Sequence, residues 1–369
     1  MNKPKYYSIN PILTYAPDAL YYVIFGERSN GKTFSCLEYV LMNYIEHGQQ
    51  AAYIRRYAED LKGKRAMELF EGFTNNLTKG NYIKTLTKNK WDSVMFYMQS
   101  WWLAKATSDG MERDSKPFMY KFVLTEYEHD KGASYIGIRT IIFDEFLAHK
   151  YYLPDEFKSF MNTLSTIIRK DRDDVKIFML GNTVNKYSPY FEEMGLNRVK
   201  DMKQGTIDVY EYGDSGLRVA VEYADSPEKK KKVDKYFAFS NPSLKMITSG
   251  AWEIDIYPHK PCDFSKGHIK FIYFVKFAGE VLQCEIVHVD KLTFTFIHRK
   301  TTPIKDDEND LIYSQEPSPR RNRSMFINRP RYRIEKTIWS FFTRQLVFYQ
   351  SNEIGEIMRN YIAWCNQNY

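Results

Sequence analysis

Near the start of the chain, the string Gly26-Glu27-Arg28-Ser29-Asn30-Gly31-Lys32-Thr33 has the residue types and spacing that hold a chain of phosphates. It fits Gly-x-x-x-x-Gly-Lys-Thr, in which backbone N–H groups curl round phosphate oxygens and the glycines let the ligand approach the backbone. In that chemistry the Lys32 ammonium reaches the β- and γ-phosphates and the Thr33 hydroxyl ligates Mg²⁺, so ATP and Mg²⁺ are the expected cofactors. Two adjacent acids, Asp144 and Glu145, end the apolar run Ile138-Arg139-Thr140-Ile141-Ile142-Phe143. Acids often end strands, and alone the pair says little. Beside a phosphate loop it gives Asp144 the metal, directly or through water, and gives Glu145 the task of orienting and deprotonating the attacking water. After the run Val175–Leu180, the amide of Asn182 is placed either to sense the γ-phosphate or to cap the next turn.

These residues need elements to position them. Tyr21–Phe25 reads as a buried strand, and Leu37, Val40, Leu41, Tyr44 and Ile45 recur at helical spacing until Gly48, so strand, loop and helix follow in the order the phosphate loop requires. Gln50–Tyr57 reads as a second strand, which makes a βαβ unit and implies a parallel sheet. It ends in Arg55 and Arg56, either presented to a ligand or a solvated strand end. Before the loop, Tyr6–Pro11 reads as extended chain or turn, because Pro11 biases its neighbour away from helix; it either packs on a nucleotide base or forms a plain edge. Within Leu61–Lys131, Ser93–Met98 and Pro117–Leu124 read as strands of an insertion on the sheet, with Trp101-Trp102 in the core. Asp155–Arg169 carries a helical stripe, and Gly205–Tyr212 with Leu217–Tyr223 reads as a hairpin.

Beyond the lysine run Lys229–Lys232 the pattern changes. His268–Lys276, Glu280–Val289 and Lys291–Arg299 read as an antiparallel meander, followed by helices over Thr337–Tyr349 and along Ile354, Ile357, Met358, Tyr361, Ile362 and Cys365. The expected division is a first domain over 1–226, a linker over 227–255 and a smaller domain over 256–369. Between meander and helices, Arg320, Arg321, Arg323, Arg329, Arg331 and Arg333 suit a phosphate-contacting loop or a soluble one. His259, Cys262, His268 and Cys284 fit no zinc spacing. A nuclease centre needs clustered carboxylates, and the strand from Ile269 to Lys276 has none; Glu285 and Asp290 remain as candidates.

The 369 residues suffice for two cores, 16% of them are aromatic, and the four scattered cysteines point to reduced thiols in a cytosolic compartment. No apolar stretch resembles a signal peptide or a membrane span, so no membrane partner is expected. A net charge of +7 permits a polyanionic partner without requiring one.

Taken in order, the phosphate loop, Tyr53-Ile54-Arg55-Arg56-Tyr57, Ile141–Phe146, Ile168-Arg169, Leu180-Gly181-Asn182 and Ser188-Pro189-Tyr190-Phe191 resemble the genome-packaging ATPases of phi29-like short-tailed phages. The resemblance covers roughly the first 225 residues well and the rest in outline. It implies an additional-strand P-loop ATPase of α/β class with a mainly parallel central sheet, and an α+β RNase H-like carboxy-terminal domain that has lost its nuclease acids. It further implies a homo-oligomeric ring, a pentamer, at the portal vertex of a procapsid in the host cytoplasm, translocating double-stranded DNA, with room for a structural RNA between ring and portal. Arg169, with Arg172 as the alternative, matches the arginine that completes a neighbour's site, and Lys131 matches a lysine of DNA-facing or interface role. A helicase-like remodelling ATPase, or a packaging enzyme with an active metal-dependent nuclease domain, are the rival readings.

Overall fold

The computed structural model describes residues 6–28, 30–75, 80–126, 135–148, 152–153, 155–169, 172–183, 188–225 and 257–368. Ser29, Lys131, the lysine run and the whole of the expected linker lie outside the described residues. Two compact units are present, one comprising Met1–His149 and Glu156–Trp252, the other Lys150–Asp155 and Glu253–Tyr369.

In chain order the first unit contains α1 (Asn10–Tyr15), β1 (Tyr21–Gly26), α2 (Lys32–His47) and β2 (Gln50–Arg55), then the short helices α3 (Lys64–Glu68), α4 (Glu71–Thr74) and α5 (Tyr82–Leu86). It continues with β3 (Ser93–Tyr97), β4 (Ser100–Thr107), β5 (Gly110–Arg113), β6 (Met119–Val123), β7 (Ile138–Asp144), α6 (Glu156–Ile167), β8 (Lys176–Asn182), α7 (Pro189–Glu193), β9 (Thr206–Tyr212) and β10 (Leu217–Ala224). One sheet joins all ten strands in the order β3-β4-β6-β2-β7-β8-β1-β10-β9, with β5 on β4. From β6 to β10 every neighbouring pair is parallel, and antiparallel pairs occur only toward the two edges. Strand β8 separates the phosphate-loop strand β1 from the acid strand β7. It is the additional strand that the resemblance implies.

Alternation along β1 sends Tyr22 and Ile24 into the core beneath α2, while Phe25 packs against Phe191 of α7 on the other face. Phe143 of β7 stacks on Phe160 of α6 and meets Tyr190 of α7 edge-on. With helices over both faces, the central strands are buried on both sides, which is why they read as apolar runs rather than as alternating ones.

Three elements differ from the sequence reading. Asn10–Tyr15 is a helix with Pro11 in its first turn, where the missing N–H costs nothing and the fixed φ suits helix. The segment around Pro117–Leu124 does not lie on the sheet as an insertion: β6 is a member of it, parallel to β2. In the second unit the helix expected over Thr337–Tyr349 starts earlier, as α8 (Arg333–Thr343), and the chain then turns into a short strand.

The second unit holds β11 (Ile269–Phe277), β12 (Glu280–Val289), β13 (Leu292–Arg299), β14 (Leu311–Ser314), β15 (Arg323–Ser324), α8, β16 (Val347–Tyr349) and α9 (Asn352–Gln367). Its sheet order is β15-β14-β11-β12-β13-β16. The meander β11-β12-β13 is antiparallel, while β14 runs parallel to β11 and β15 parallel to β14. This is the strand order and direction of an RNase H-like sheet, with β16 added beside β13. Strand β11 carries no acid, Glu285 on β12 is engaged by Gln283 and His298, and Asp307 pairs with Lys276 and Arg323. Among the described residues, no three His, Cys, Asp or Glu side chains are grouped to hold a metal, and no helix is long and apolar enough to cross a membrane.

Candidate nucleotide site

The two glycines of the phosphate loop are required for different reasons. Gly31 has φ of 100°, open to glycine and strained for other residues. Gly26 has ordinary φ, but a Cβ there would stand 2.8 Å from the carbonyl oxygen of Ala224 on β10. The loop leads into α2 at its first residue, Lys32, whose buried ammonium donates to Glu27 O at 2.7 Å, Asn30 Oδ1 at 3.1 Å and Gly26 O at 3.4 Å. Burial pulls the Lys32 pKa down to about 8, against the upward pull of Asp144 and Glu27.

Thr33 and Asp144 meet although 111 positions separate them: the Thr33 hydroxyl donates to Asp144 Oδ2 at 3.1 Å. The same oxygen accepts a 2.6 Å bond from the buried Tyr53 hydroxyl. Tyr53 and Arg55 stand two apart on β2 and so share a face; Arg55 comes within 3.8 Å of Asp144 and donates to Glu145 Oε2 at 2.6 Å. Glu145 has φ of 58°, uncommon for a residue with a side chain. Its N–H donates to Asp144 Oδ1 at 3.0 Å, and the next N–H, of Phe146, donates to Leu180 O at 3.1 Å. Asn182 closes β8 in register with Gly26, and Thr183 N donates to Gly26 O at 3.2 Å. One edge of the sheet thus brings together the loop, Asp144, Glu145 and Asn182.

The chain ahead of β1 touches the loop as well. Tyr7 N donates to Asn30 O at 2.9 Å, and its hydroxyl donates to Glu222 Oε2 on β10 at 2.5 Å. Burial lifts the Glu222 carboxyl to about 7. The segment Tyr6–Ile9 is therefore packed against the loop rather than lying as a plain edge.

Arg56 departs from expectation. It neither presents itself to a ligand nor lies in solvent: it is buried, forks onto Glu156 with both bonds at 2.8 Å, and donates to the carbonyls of Glu145 and Phe146 at 3.1 and 2.8 Å. Among the two candidate arginines beyond α6, Arg172 is engaged by Asp174 and by Ile138 O. Arg169 is exposed and makes no hydrogen bond or ion pair with another described residue. Sequence reading singled out Arg56 but not its buried partner Glu156, and gave Tyr53 no role of its own. The i, i+2 spacing of Tyr53 and Arg55 was the one local signal available.

The model for podovirus DNA encapsidation proteins (Gp16) matches residues 113–360, two thirds of the sequence. The chain belongs to this family. The match begins after the phosphate loop, so the loop stands on its own motif and geometry. Among curated relatives, the DNA packaging proteins of Bacillus phages PZA and phi29 are each 25% identical over 240 residues, which is 63% of this chain. The matched stretch spans 61% of the length of each. The DNA packaging protein of Bacillus phage B103 is 26% identical over 184 residues, 48% of this chain and 49% of the relative. Among solved structures, the Phi-28 gp11 DNA packaging motor matches with a TM-score of 0.54 and 16% identity over 100% of both chains. The phi29 viral genome packaging motor assembly matches with a TM-score of 0.54 and 18% identity over 98% of both. At these identities the structural matches establish the fold, and they extend it over both units.

If Lys32 grips phosphate as an ammonium, the free protein should lose affinity for nucleotide as pH rises past about 8. Bound phosphate favours the charged form, so affinity should fall by up to about tenfold per pH unit above that point. Titrating a fluorescent ATP analogue from about pH 7 to 9.5 checks this; Lys32→Met should bind weakly without that pH dependence, and a flat wild-type profile would remove the ammonium from the site.

Proposed function

We propose that this chain is an ATP-hydrolysing motor subunit that drives double-stranded viral DNA into a procapsid. The observation that carries the reading is the meeting of Thr33, Asp144 and Glu145 at the carboxyl ends of β1 and β7, with the additional strand between them. Gly26–Thr33 would cradle the triphosphate, Lys32 would neutralise the β- and γ-phosphates, and Thr33 and Asp144 would hold Mg²⁺, which supplies charge neutralisation on the transferring phosphoryl group. Tyr53, bonded to Asp144, would orient that carboxylate toward the metal. Glu145 would take the proton of the attacking water once it leaves Arg55, and Asn182 would contact the γ-phosphate or the water.

One further cation, on the transferring phosphoryl group, would complete the site. Arg169 suits that role when supplied by a neighbouring subunit, since it is exposed while Arg172 is held within its own chain. An arginine acting in trans would require a ring, and the resemblance to phi29-like packaging ATPases supports reading that ring as a pentamer on the portal in the host cytoplasm, with a structural RNA accommodated between. The RNase H-like unit would grip DNA or dock on the portal. The span 227–255 would link it to the ATPase.

The test combines purified procapsids, linear double-stranded DNA, the full chain and Mg-ATP. Appearance of DNA protected from added nuclease, dependent on ATP hydrolysis, is the expected result. Strand separation in the absence of procapsids would favour the helicase-like alternative, and metal-dependent cleavage of plasmid would restore a nuclease role.

A further inference from the structure

The turn that follows Asp144 is held in an uncommon conformation, and its local bond from Glu145 N–H to Asp144 Oδ1 fixes only one side of it. Glu145 pays for a left-handed φ of 58°, a conformation that persists only where surrounding contacts over-determine it. The Glu145 and Phe146 N–H groups are held by Asp144 Oδ1 and Leu180 O, and the two carbonyls are held by Arg56. Its guanidinium donates to the carbonyl of Glu145 at 3.1 Å and to that of Phe146 at 2.8 Å, so two successive peptide units are fixed from one side. The guanidinium is itself fixed by the fork onto Glu156, with side-chain exposures of 8% and 0% for the two partners. Glu156 Oε1 takes a further bond of 2.7 Å from the Tyr190 hydroxyl.

We infer that Arg56 is a positioning residue for hydrolysis: clamped by Glu156 and Tyr190, it sets the backbone of the Glu145 turn, and thereby the direction from which the Glu145 carboxylate meets water. A buried ion pair between distant segments is in general weak evidence for stability, and here its geometry explains a different property, the orientation of one acid. A bidentate guanidinium also has a shape that an ammonium cannot copy, because a lysine cannot span the Glu156 carboxylate and two carbonyls at once. Glu156 is in addition the first residue of α6, a helix of 12 residues and so about 18 Å long. Arg169 lies two residues past the far end of that helix. The clamp therefore also anchors the near end of the element that leads to Arg169.

The inference rests on the assignment of Glu145 as the base, and the test separates the two. Single-turnover ATP hydrolysis and nucleotide affinity are measured on the full chain for Arg56→Lys, Glu156→Gln and Glu145→Gln, and for Arg56→Lys in the Glu145→Gln background. Expected are a fall in the hydrolysis rate of roughly 10- to 100-fold for Arg56→Lys and Glu156→Gln, within the range that base positioning contributes, with nucleotide affinity near wild type. In the Glu145→Gln background Arg56→Lys should have no further effect, the non-additivity of residues that act as one unit. If Arg56→Lys lowers the rate equally in both backgrounds, or weakens affinity in step with rate, the residue serves structure alone and the inference falls. Should Arg56→Lys not fold, Tyr190→Phe, which removes one hydroxyl and keeps the ring against Phe143 and Phe160, carries the same cycle: a several-fold loss absent in the Glu145→Gln background supports the clamp, and an unchanged or equally lowered rate overturns it. Normal hydrolysis by Glu145→Gln would instead overturn the assignment of the base.

Discussion

Glu145→Gln is expected to bind Mg-ATP about as well as the parent and to lose turnover by roughly 10²- to 10⁴-fold, the usual contribution of a general base, or about 3–5 kcal/mol of barrier. The substitution is nearly isosteric and leaves the phosphate contacts alone. Arg55 loses the charge of its 2.6 Å partner, whose amide oxygen can still accept from it, and keeps Asp60 at 3.6 Å and Asp144 at 3.8 Å, so the strand end should stay ordered. The N–H of residue 145 still donates to Asp144, and its carbonyl still accepts from Arg56. Binding and chemistry should therefore separate: equilibrium binding of nucleotide persists while phosphate release, measured in single turnover, collapses. Turnover at the parent rate would move the base elsewhere, and weak nucleotide binding would mean that Glu145 supports the cradle.

The parts of this site that were legible in the sequence are those whose signal is local. Gly26–Thr33 announces itself because every ligand-facing group of the loop lies within eight residues, and α2 shows because its buried residues repeat at helical spacing. The β7 run ends in two acids for the same reason. What stayed hidden depends on partners far along the chain. Arg56 meets Glu156 100 positions away, and nothing near Arg56 distinguishes a buried guanidinium from an exposed one. Tyr53 finds Asp144 91 positions away. The early helix at Asn10 and the strand Val347–Tyr349 were misread for a simpler cause: in short elements a proline or a change of period can be read either way, and tertiary pairing decides.

Under the proposed ring arrangement, Arg169→Ala should abolish most hydrolysis, while Arg172→Ala should not. A cation supplied in trans to a transferring phosphoryl group is worth up to about 10³- to 10⁵-fold. Arg172 instead braces its own subunit through Asp174 and the carbonyl of Ile138, and losing a partly exposed ion pair costs about 1 kcal/mol of stability or less. The decisive arrangement is a mixture. An Arg169→Ala subunit keeps its phosphate loop, and a Lys32→Ala subunit keeps its Arg169, so each is inactive alone under the trans reading. Mixed in equal amounts with procapsids and DNA, they should regain ATP turnover at those interfaces where an intact loop faces an intact arginine. Recovery requires the arginine to cross between subunits, because a cis-acting Arg169 leaves both partners dead in every arrangement. A mixture that stays inactive although mixed rings form would place Arg169 in its own subunit's site. The phosphate loop would then be complete within one chain, and hydrolysis would no longer need the neighbour.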